Sequence, residues 1–380
     1  TNRVRETKVV DKTRSLLEEA VKRQMLSDVP LGAFLSGGID SSVVVSIMQS
    51  VSDTPISTFS IGSNSDTYNE AHHAEDIANF LGTNHRTLLV NPEDLLRTLN
   101  ETISSLDQPF GDSSYVVTKM LSAFARKHVT VALTGDGADE LFGGYNRHVM
   151  GVSKWPNIAL VPFCARQVLS KSLENIPVNI LTKIVSCSGI SQQLSDKVIQ
   201  SQKVARVIGA KDLSEFYISL LTQHNVTKPV RSLRTITDLQ GDKGYSDLTK
   251  LLAWDSEIYL PGDILTKVDR ASMSESLETR APYLDKHVSE FVLGLPDDYK
   301  IRKRSTYKWE SKWLLRQILR QFMPEDMWNR PKQGFGFPLG DWLRKELRDV
   351  VMDTLSEQEL NKNPFIDNAM VTQMLSEHFS

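Results

Sequence analysis

Seven residues near the start of the chain, Ser36-Gly37-Gly38-Ile39-Asp40-Ser41-Ser42, combine the parts of an anion cradle. Gly37 and Gly38 lack a Cβ, so backbone N–H groups can close on a phosphate. The hydroxyls of Ser36, Ser41 and Ser42 add donors. The helix predicted to follow adds its unpaired N–H groups and its dipole. Asp40 fits such a cradle only if a divalent cation lies between it and the phosphates. A helix N-terminus contributes only ~0.3–2 kcal/mol toward an anion. Pyrophosphate carries several charges, so this loop calls for Mg²⁺ and a cation from elsewhere in the chain. The string lacks the Lys of a GxxxxGK(S/T) loop, and no GxGxxG is present, which sets aside a Walker A loop and a dinucleotide fingerprint. A plain strand-to-helix turn capped by Ser and Asp is the bland alternative.

A second acidic turn follows at Thr134-Gly135-Asp136-Gly137-Ala138-Asp139-Glu140. Asp136 and Asp139 are three apart, so on a helical turn they share a face. Asp139 with Asp40 makes a carboxylate pair able to hold Mg²⁺, which usually takes one or two carboxylates plus phosphate oxygens and waters. The alternative is an acidic helix N-terminus favoured by the dipole. His72, His73 and His85 read as a helix-surface pair and a structural strand residue, because no Cys or spaced carboxylate accompanies them. Arg280 and Asp285 either orient a substrate or form a buried ion pair, and both readings stand.

The elements that must position these residues alternate. Lys12–Leu26 has apolar residues at helical spacing. The apolar run Val29–Leu35 reads as a buried strand entering the Ser36-Gly37-Gly38 turn. Asp40-Ser41-Ser42 supplies capping residues, and Val43–Val51 continues as a helix. Strands are predicted at Ile56–Ile61, His85–Val90 and Val129–Leu133. Helices are predicted at Asn69–Leu81, Pro92–Leu106 and Ser113–Lys127. Such alternation implies a parallel sheet covered on both faces, with ligands at the carboxyl ends of its strands. Both glycine-rich turns lie at such ends. After about Gly151 helical patterns dominate. The expected organisation is an α/β nucleotide-binding core over 1–150 and a largely helical lobe over 151–380 that completes the site.

Composition narrows the class. A chain of 380 residues exceeds what one core usually holds, so two lobes are expected. Net charge is −3 with no long basic run, which argues against nucleic acid or an anionic membrane as the main partner. The two cysteines, Cys164 and Cys187, have no zinc-ligand spacing and fit a reducing compartment. The apolar stretch near Ile158–Val168 is broken by Pro162 and Arg166, too short to span a bilayer. The N-terminus has no apolar core of a signal peptide. A cytoplasmic location is the expectation.

The loop at Ser36–Ser42 resembles the PP-loop of ATP pyrophosphatases, which cleave ATP between the α- and β-phosphates. Blocks along nearly the whole chain then resemble, in order, the synthetase domain of asparagine synthetases. They include Thr58–Gly62, Leu81–His85, Leu106–Ser114, Thr134–Tyr145, Tyr259–Met273, Leu277–Asp285, Lys312–Arg316 and Arg330–Phe335.

That resemblance implies a fold, the PP-loop ATP pyrophosphatase fold, and roles by position. Leu35 and Ile61 by backbone contacts, with Gly135, would hold adenosine. Ser36 to Ser42 would hold pyrophosphate, and Asp40 and Asp139 would bind Mg²⁺. Asp136 would lie beside the reacting carbonyl, and Lys332 would meet the phosphates. The implied reaction uses ATP to adenylate a carboxylate, with aspartate favoured, and lets ammonia displace AMP. The same chemistry on a sugar acid or an intramolecular lactam is an alternative, as is a non-catalytic nucleotide-binding module. A tRNA thiolase is disfavoured by the missing CxxC and basic surface. Family members usually carry an N-terminal glutaminase domain beginning with a catalytic Cys. Here residue 1 is Thr1 and the PP-loop follows closely, so the expectation is an excised synthetase domain or a chain without its glutaminase. Ammonia would then come from a glutaminase domain or partner outside this chain. A homodimer is compatible with this reading.

Overall fold

The computed structural model describes residues 2–63, 71–174, 204–222, 244–305, 308–330 and 339–379. Helix α1 (Asn2–Gln24) leads to strand β1 (Leu31–Phe34), helix α2 (Ile39–Ser50), strand β2 (Ser57–Ser63), helix α3 (Ala71–Leu81) and strand β3 (Asn84–Val90). Helices α4 (Pro92–Ser105) and α5 (Ser114–Arg126), strand β4 (Val131–Leu133) and the short helix α6 (Ala138–Phe142) follow. Helix α1 starts well before the predicted Lys12, at Asn2, while the other predicted boundaries lie within about four residues of the observed ones. Helix α3 ends at Gly82, whose φ of 71° suits a residue without a Cβ. Helix α2 starts earlier than predicted, so Asp40, Ser41 and Ser42 occupy its first turn rather than its cap.

The strands form one five-stranded parallel sheet in the order β3-β2-β1-β4-β5, where β5 is Glu278–Arg280. Chain order reverses between β1 and β4, and their carboxyl ends stand side by side, Ala33 opposite Leu133. Such a reversal opens a crevice beyond the strand ends, where ligands of open α/β sheets bind. Strand β5 is a correction, because the sequence from Gly151 onward reads as helical. Three residues, Glu278-Thr279-Arg280, are too few to show a period of two. Their pairing with Val131, Ala132 and Leu133 makes them a strand.

That pairing also alters the expected domains. The chain packs as two compact units: residues 1–145 with 252–339, and residues 146–251 with 340–380. A single boundary near 150 therefore does not describe the units. Residues 252–339 belong with the sheet because β5 extends it.

In the sheet unit, α2 is buried from Ser41 through Met48, because it lies between the sheet side and the helices α1 and Trp313–Leu319. Val43, Val45, Ile47 and Met48 are fully enclosed. At ~1.5–3 kcal/mol for each such side chain, this burial fixes the helix whose first turn carries Asp40. In the other unit, Trp155 packs on Phe216, and Tyr217 stacks on His148 and accepts a hydrogen bond from Arg147. Among the described residues, no helix is long and apolar enough to cross a membrane.

Candidate active site

The turn after β1 is drawn tight by its own side chains. Gly37 takes φ 75°, and a Cβ there would press on the backbone of His73 and Ala74. The Ser36 and Ser41 hydroxyls bond each other at 3.1 Å, and the Ser36 N–H donates to Ser41 Oγ. Ser42 is fully buried, and its hydroxyl donates to the Gly38 carbonyl at 2.6 Å. The Ser41 hydroxyl also donates to the Gly38 carbonyl, at 3.3 Å, so the Ser41 and Ser42 hydroxyls are both engaged within the loop. Leu35 extends the sheet by donating to Phe59 O, and Ile61 lies buried in β2.

The turn after β4 meets this loop directly. A Cβ on Gly135 would lie 3.0 Å from Asp40 Cβ and 3.1 Å from the Ser41 nitrogen, tighter than ordinary contact, so the missing side chain lets the two turns approach closely. Gly137, at φ 86°, caps α6 against Leu284. Asp139 stands in the first turn of α6, whereas Asp136 lies in the turn before it, so the two do not share a helical face as the spacing suggested. Tyr283, fully buried, donates from its hydroxyl to the Asp40 carbonyl at 2.9 Å and pins the first turn of α2.

Asp40 and Asp139 converge on a third residue that the sequence did not single out. Lys312 Nζ lies 2.5 Å from Asp40 Oδ2 and 2.7 Å from Asp139 Oδ1. Lys312 is 4% exposed. Burial works against its ammonium, but Asp139 and Asp40 outweigh that and raise its pKa above the ordinary lysine value. Gly144 makes room, since a Cβ there would overlap both Asp139 Oδ1 and Lys312 Cε. The Lys312 backbone adopts φ 53°, a left-handed conformation uncommon for lysine. Its N–H donates to Phe142 O, which ties it to the end of α6.

Asp136 is held differently. Burial raises its pKa, the Thr134 hydroxyl and Lys267 pull it back, and Asp40 and Asp139 push it further up. Lys267 itself is anchored at 2.9 Å to Asp112. Behind Asp139, Glu140 is buried and accepts from the Tyr145 hydroxyl at 2.7 Å. Burial, with Asp139 and Asp255 nearby, pushes the Glu140 carboxyl up to about 7 against that hydrogen bond.

The structure thus brings together Leu35, the Ser36–Ser42 loop, Asp40, Gly135, Asp136 and Asp139, from two turns far apart in sequence. Lys332 lies outside the described residues, as does Cys187. Lys312, Lys267 and Tyr283 were missed as site residues. All three stand inside blocks that carry the family resemblance, but no glycine turn or carboxylate pair marks them. His72 and His73 are exposed on α3, and His85 bonds to Thr58 and Ser60 within the sheet. Arg280 pairs with Glu278 and with the Gln24 and Leu26 carbonyls, while Asp285 pairs with Arg23, so the two do not pair with each other.

As a metal site, the pair Asp40 and Asp139 has the donor set Mg²⁺ uses with phosphates. Both carboxylates already converge on one cation, the Lys312 ammonium, so the pocket is built for positive charge. Among the described residues no group of three or more His, Cys, Asp or Glu gathers into a cage for an ion.

Comparison with known proteins gives a match over residues 12–380 to the family model of asparagine synthase. Asparagine synthetase [glutamine-hydrolyzing] 1 of Bacillus subtilis is 33% identical over 373 residues, covering 98% of this chain and 56% of the relative. Asparagine synthetase [glutamine-hydrolyzing] 3 of the same organism is 26% identical, over 92% of this chain and 53% of the relative. An amidase of Gibberella zeae, chry2, is 25% identical over 95% of this chain and 57% of its own. The chain spans about half the length of the curated relatives it matches. Among solved structures, an NMN synthetase from Francisella tularensis aligns with a TM-score of 0.27 and 18% identity, over 37% of this chain and 59% of that one.

Proposed function

Since the chain belongs to the asparagine synthase family, we propose that it is an asparagine synthetase-like carbon–nitrogen ligase that adenylates the side-chain carboxylate of aspartate and transfers ammonia to it. A carboxylate oxygen attacks the α-phosphorus of ATP, the bond to the bridging oxygen breaks, and pyrophosphate leaves with the electron pair. Ammonia then attacks the acyl carbon, sheds a proton, and AMP departs, leaving asparagine. The observation that carries this reading is the meeting of two turns across Gly135, with Asp40 and Asp139 on the same cation.

In this reading Leu35, Ile61 and Gly135 line the adenosine, by backbone for the first two. The Ser36–Ser42 loop and the first turn of α2 hold the pyrophosphoryl oxygens. Ser42 contributes by shaping the loop, since its hydroxyl and its N–H both donate to the Gly38 carbonyl. Asp40 and Asp139 hold Mg²⁺, which when bound neutralises charge on the phosphates. Asp136 faces the reacting carbonyl, with Lys267 near enough to balance its charge. Lys332 supplies a further cation to the leaving pyrophosphate. Preorganised charges of this kind dominate phosphoryl chemistry. Closing out water protects the acyl-adenylate from hydrolysis. Ammonia reaches the site from a glutaminase domain or partner.

One observation favours keeping a second substrate class in view: relatives named amidases match over nearly the same span. The test is ATP–pyrophosphate exchange with Mg²⁺ across a panel of carboxylates. Exchange stimulated by aspartate above the others supports the reading. Exchange driven instead by a sugar acid or an amino-acid derivative reassigns the substrate, and no exchange with any carboxylate would leave a nucleotide-binding module.

A further inference from the structure

We propose that Lys312 is a resident cation that closes the Asp40–Asp139 pair to free divalent metal, so that Mg²⁺ enters only together with a nucleotide. The proposal rests on the reading of Asp40 and Asp139 as metal ligands. Its own content concerns what fills their seat beforehand and what must happen for it to be vacated.

The ammonium of Lys312 touches one oxygen of each carboxylate, at 2.5 and 2.7 Å. A divalent ion bridging the same two oxygens would stand within about 4 Å of that nitrogen, and like charges so close in a partly buried site repel strongly. Both cannot keep the seat. Lys312 is also fixed from behind. Its N–H is held by Phe142 O, Trp313 N–H donates to Lys300 O, and Lys312 leads into the helix Trp313–Leu319, whose Trp313, Leu314, Leu315, Ile318 and Leu319 are buried. The side chain therefore yields by turning about its own bonds, not by withdrawal of its backbone. The missing Cβ of Gly144 is what lets Lys312 Cε and Asp139 Oδ1 occupy the positions they hold.

Free Mg²⁺ would have to strip a buried ammonium of two anionic partners, which is costly when nothing replaces them. A metal–nucleotide complex changes the exchange, because its phosphate oxygens arrive next to the Ser36–Ser42 loop and offer the ammonium new anions. Metal and nucleotide affinities then become coupled, and the coupling is reciprocal. The device offsets part of the charge of the acidic pair before nucleotide arrives and releases one cation toward the phosphates as the other enters.

The experiment measures Mn²⁺, as a paramagnetic stand-in for Mg²⁺, binding to the whole chain by electron paramagnetic resonance. It is done with and without α,β-methylene-ATP, whose α–β bridge cannot be cleaved. The wild type is expected to bind Mn²⁺ weakly alone and at least ~10-fold more tightly with the analogue. Lys312→Met is expected to bind Mn²⁺ alone at least ~10-fold more tightly than the wild type, with a smaller gain from the analogue. Lys312→Arg keeps the charge and should keep the exclusion. Tight one-to-one Mn²⁺ binding by the nucleotide-free wild type, abolished by Asp139→Asn, would overturn the proposal without any need for the lysine variants to fold. Equal Mn²⁺ affinities of wild type and Lys312→Met without nucleotide would overturn it as well. If Asp139→Asn leaves Mn²⁺ binding with the analogue unchanged, the metal-ligand reading itself fails, and the proposal with it.

Discussion

Replacing Asp40 or Asp139 by Asn removes one of the two charges that hold Lys312 Nζ between them. Each variant is expected to bind Mg²⁺-ATP more weakly by at least ~1.4 kcal/mol, a tenfold loss, by calorimetry. Normal binding by either variant would show that its carboxylate is not a ligand. Gly144→Ala tests the same cluster from the side, since the added methyl overlaps Asp139 and Lys312. It should cut adenylation while circular dichroism shows the fold retained, and wild-type activity would mean that the neighbours shift freely. Lys332→Ala should slow single-turnover adenylation by ~3–4 kcal/mol of barrier while ATP affinity changes less. Lys332→Arg should restore it only in part, because a planar fork does not replace a point charge. An unchanged rate in Lys332→Ala would send the search for the pyrophosphate cation elsewhere. The loop and the acidic turn were legible in sequence because glycine, serine and aspartate are dense there. Lys312 was not, because a lone lysine gains its meaning only when the fold brings Asp40 from 272 residues away.

Strands β2 and β3 carry a testable titration. His85 Nδ1 bonds with Thr58 Oγ1 at 2.9 Å and Nε2 with Ser60 Oγ at 3.0 Å. Burial lowers the His85 pKa below 6.5, against a smaller upward pull from Glu75. The unfolded chain therefore binds more protons than the folded one as pH falls below ~6.5, so stability declines with acidification through that range. His85→Asn should flatten the slope of unfolding free energy between pH 7 and the lowered folded value, measured by urea titration. An identical slope would show that the imidazole does not report on this pairing. In the turn after β1, Gly37→Ala should cost ~1–2 kcal/mol, because φ 75° places a Cβ against its own backbone. Strands β1 and β4 announced themselves by apolar runs that end in glycine-rich turns. Strand β5 did not, because three residues at a sheet edge gain strand character from their neighbour and not from their own pattern.

At the scale of the molecule, residues 252–339 rejoin the first 145 to complete the sheet unit. The Ser36 loop, Asp139 and Lys312 all belong to that unit, and the core around α2 spans both stretches. A sequence reading in chain order placed one boundary near residue 150, because long-range strand pairing is invisible to local periodicity. With ATP, Mg²⁺ and aspartate, amide formation by this chain should rise with ammonium and with pH, as more ammonia is unprotonated. A rate that does not respond to ammonium would contradict that expectation. The central claim, that a carboxylate is activated by attack on the α-phosphorus, is tested most directly with aspartate carrying ¹⁸O in its side-chain carboxylate. After turnover with ATP, Mg²⁺ and ammonium, one ¹⁸O should appear in AMP, with unlabelled pyrophosphate as the other phosphorus product. Release of ADP and labelled inorganic phosphate would contradict it.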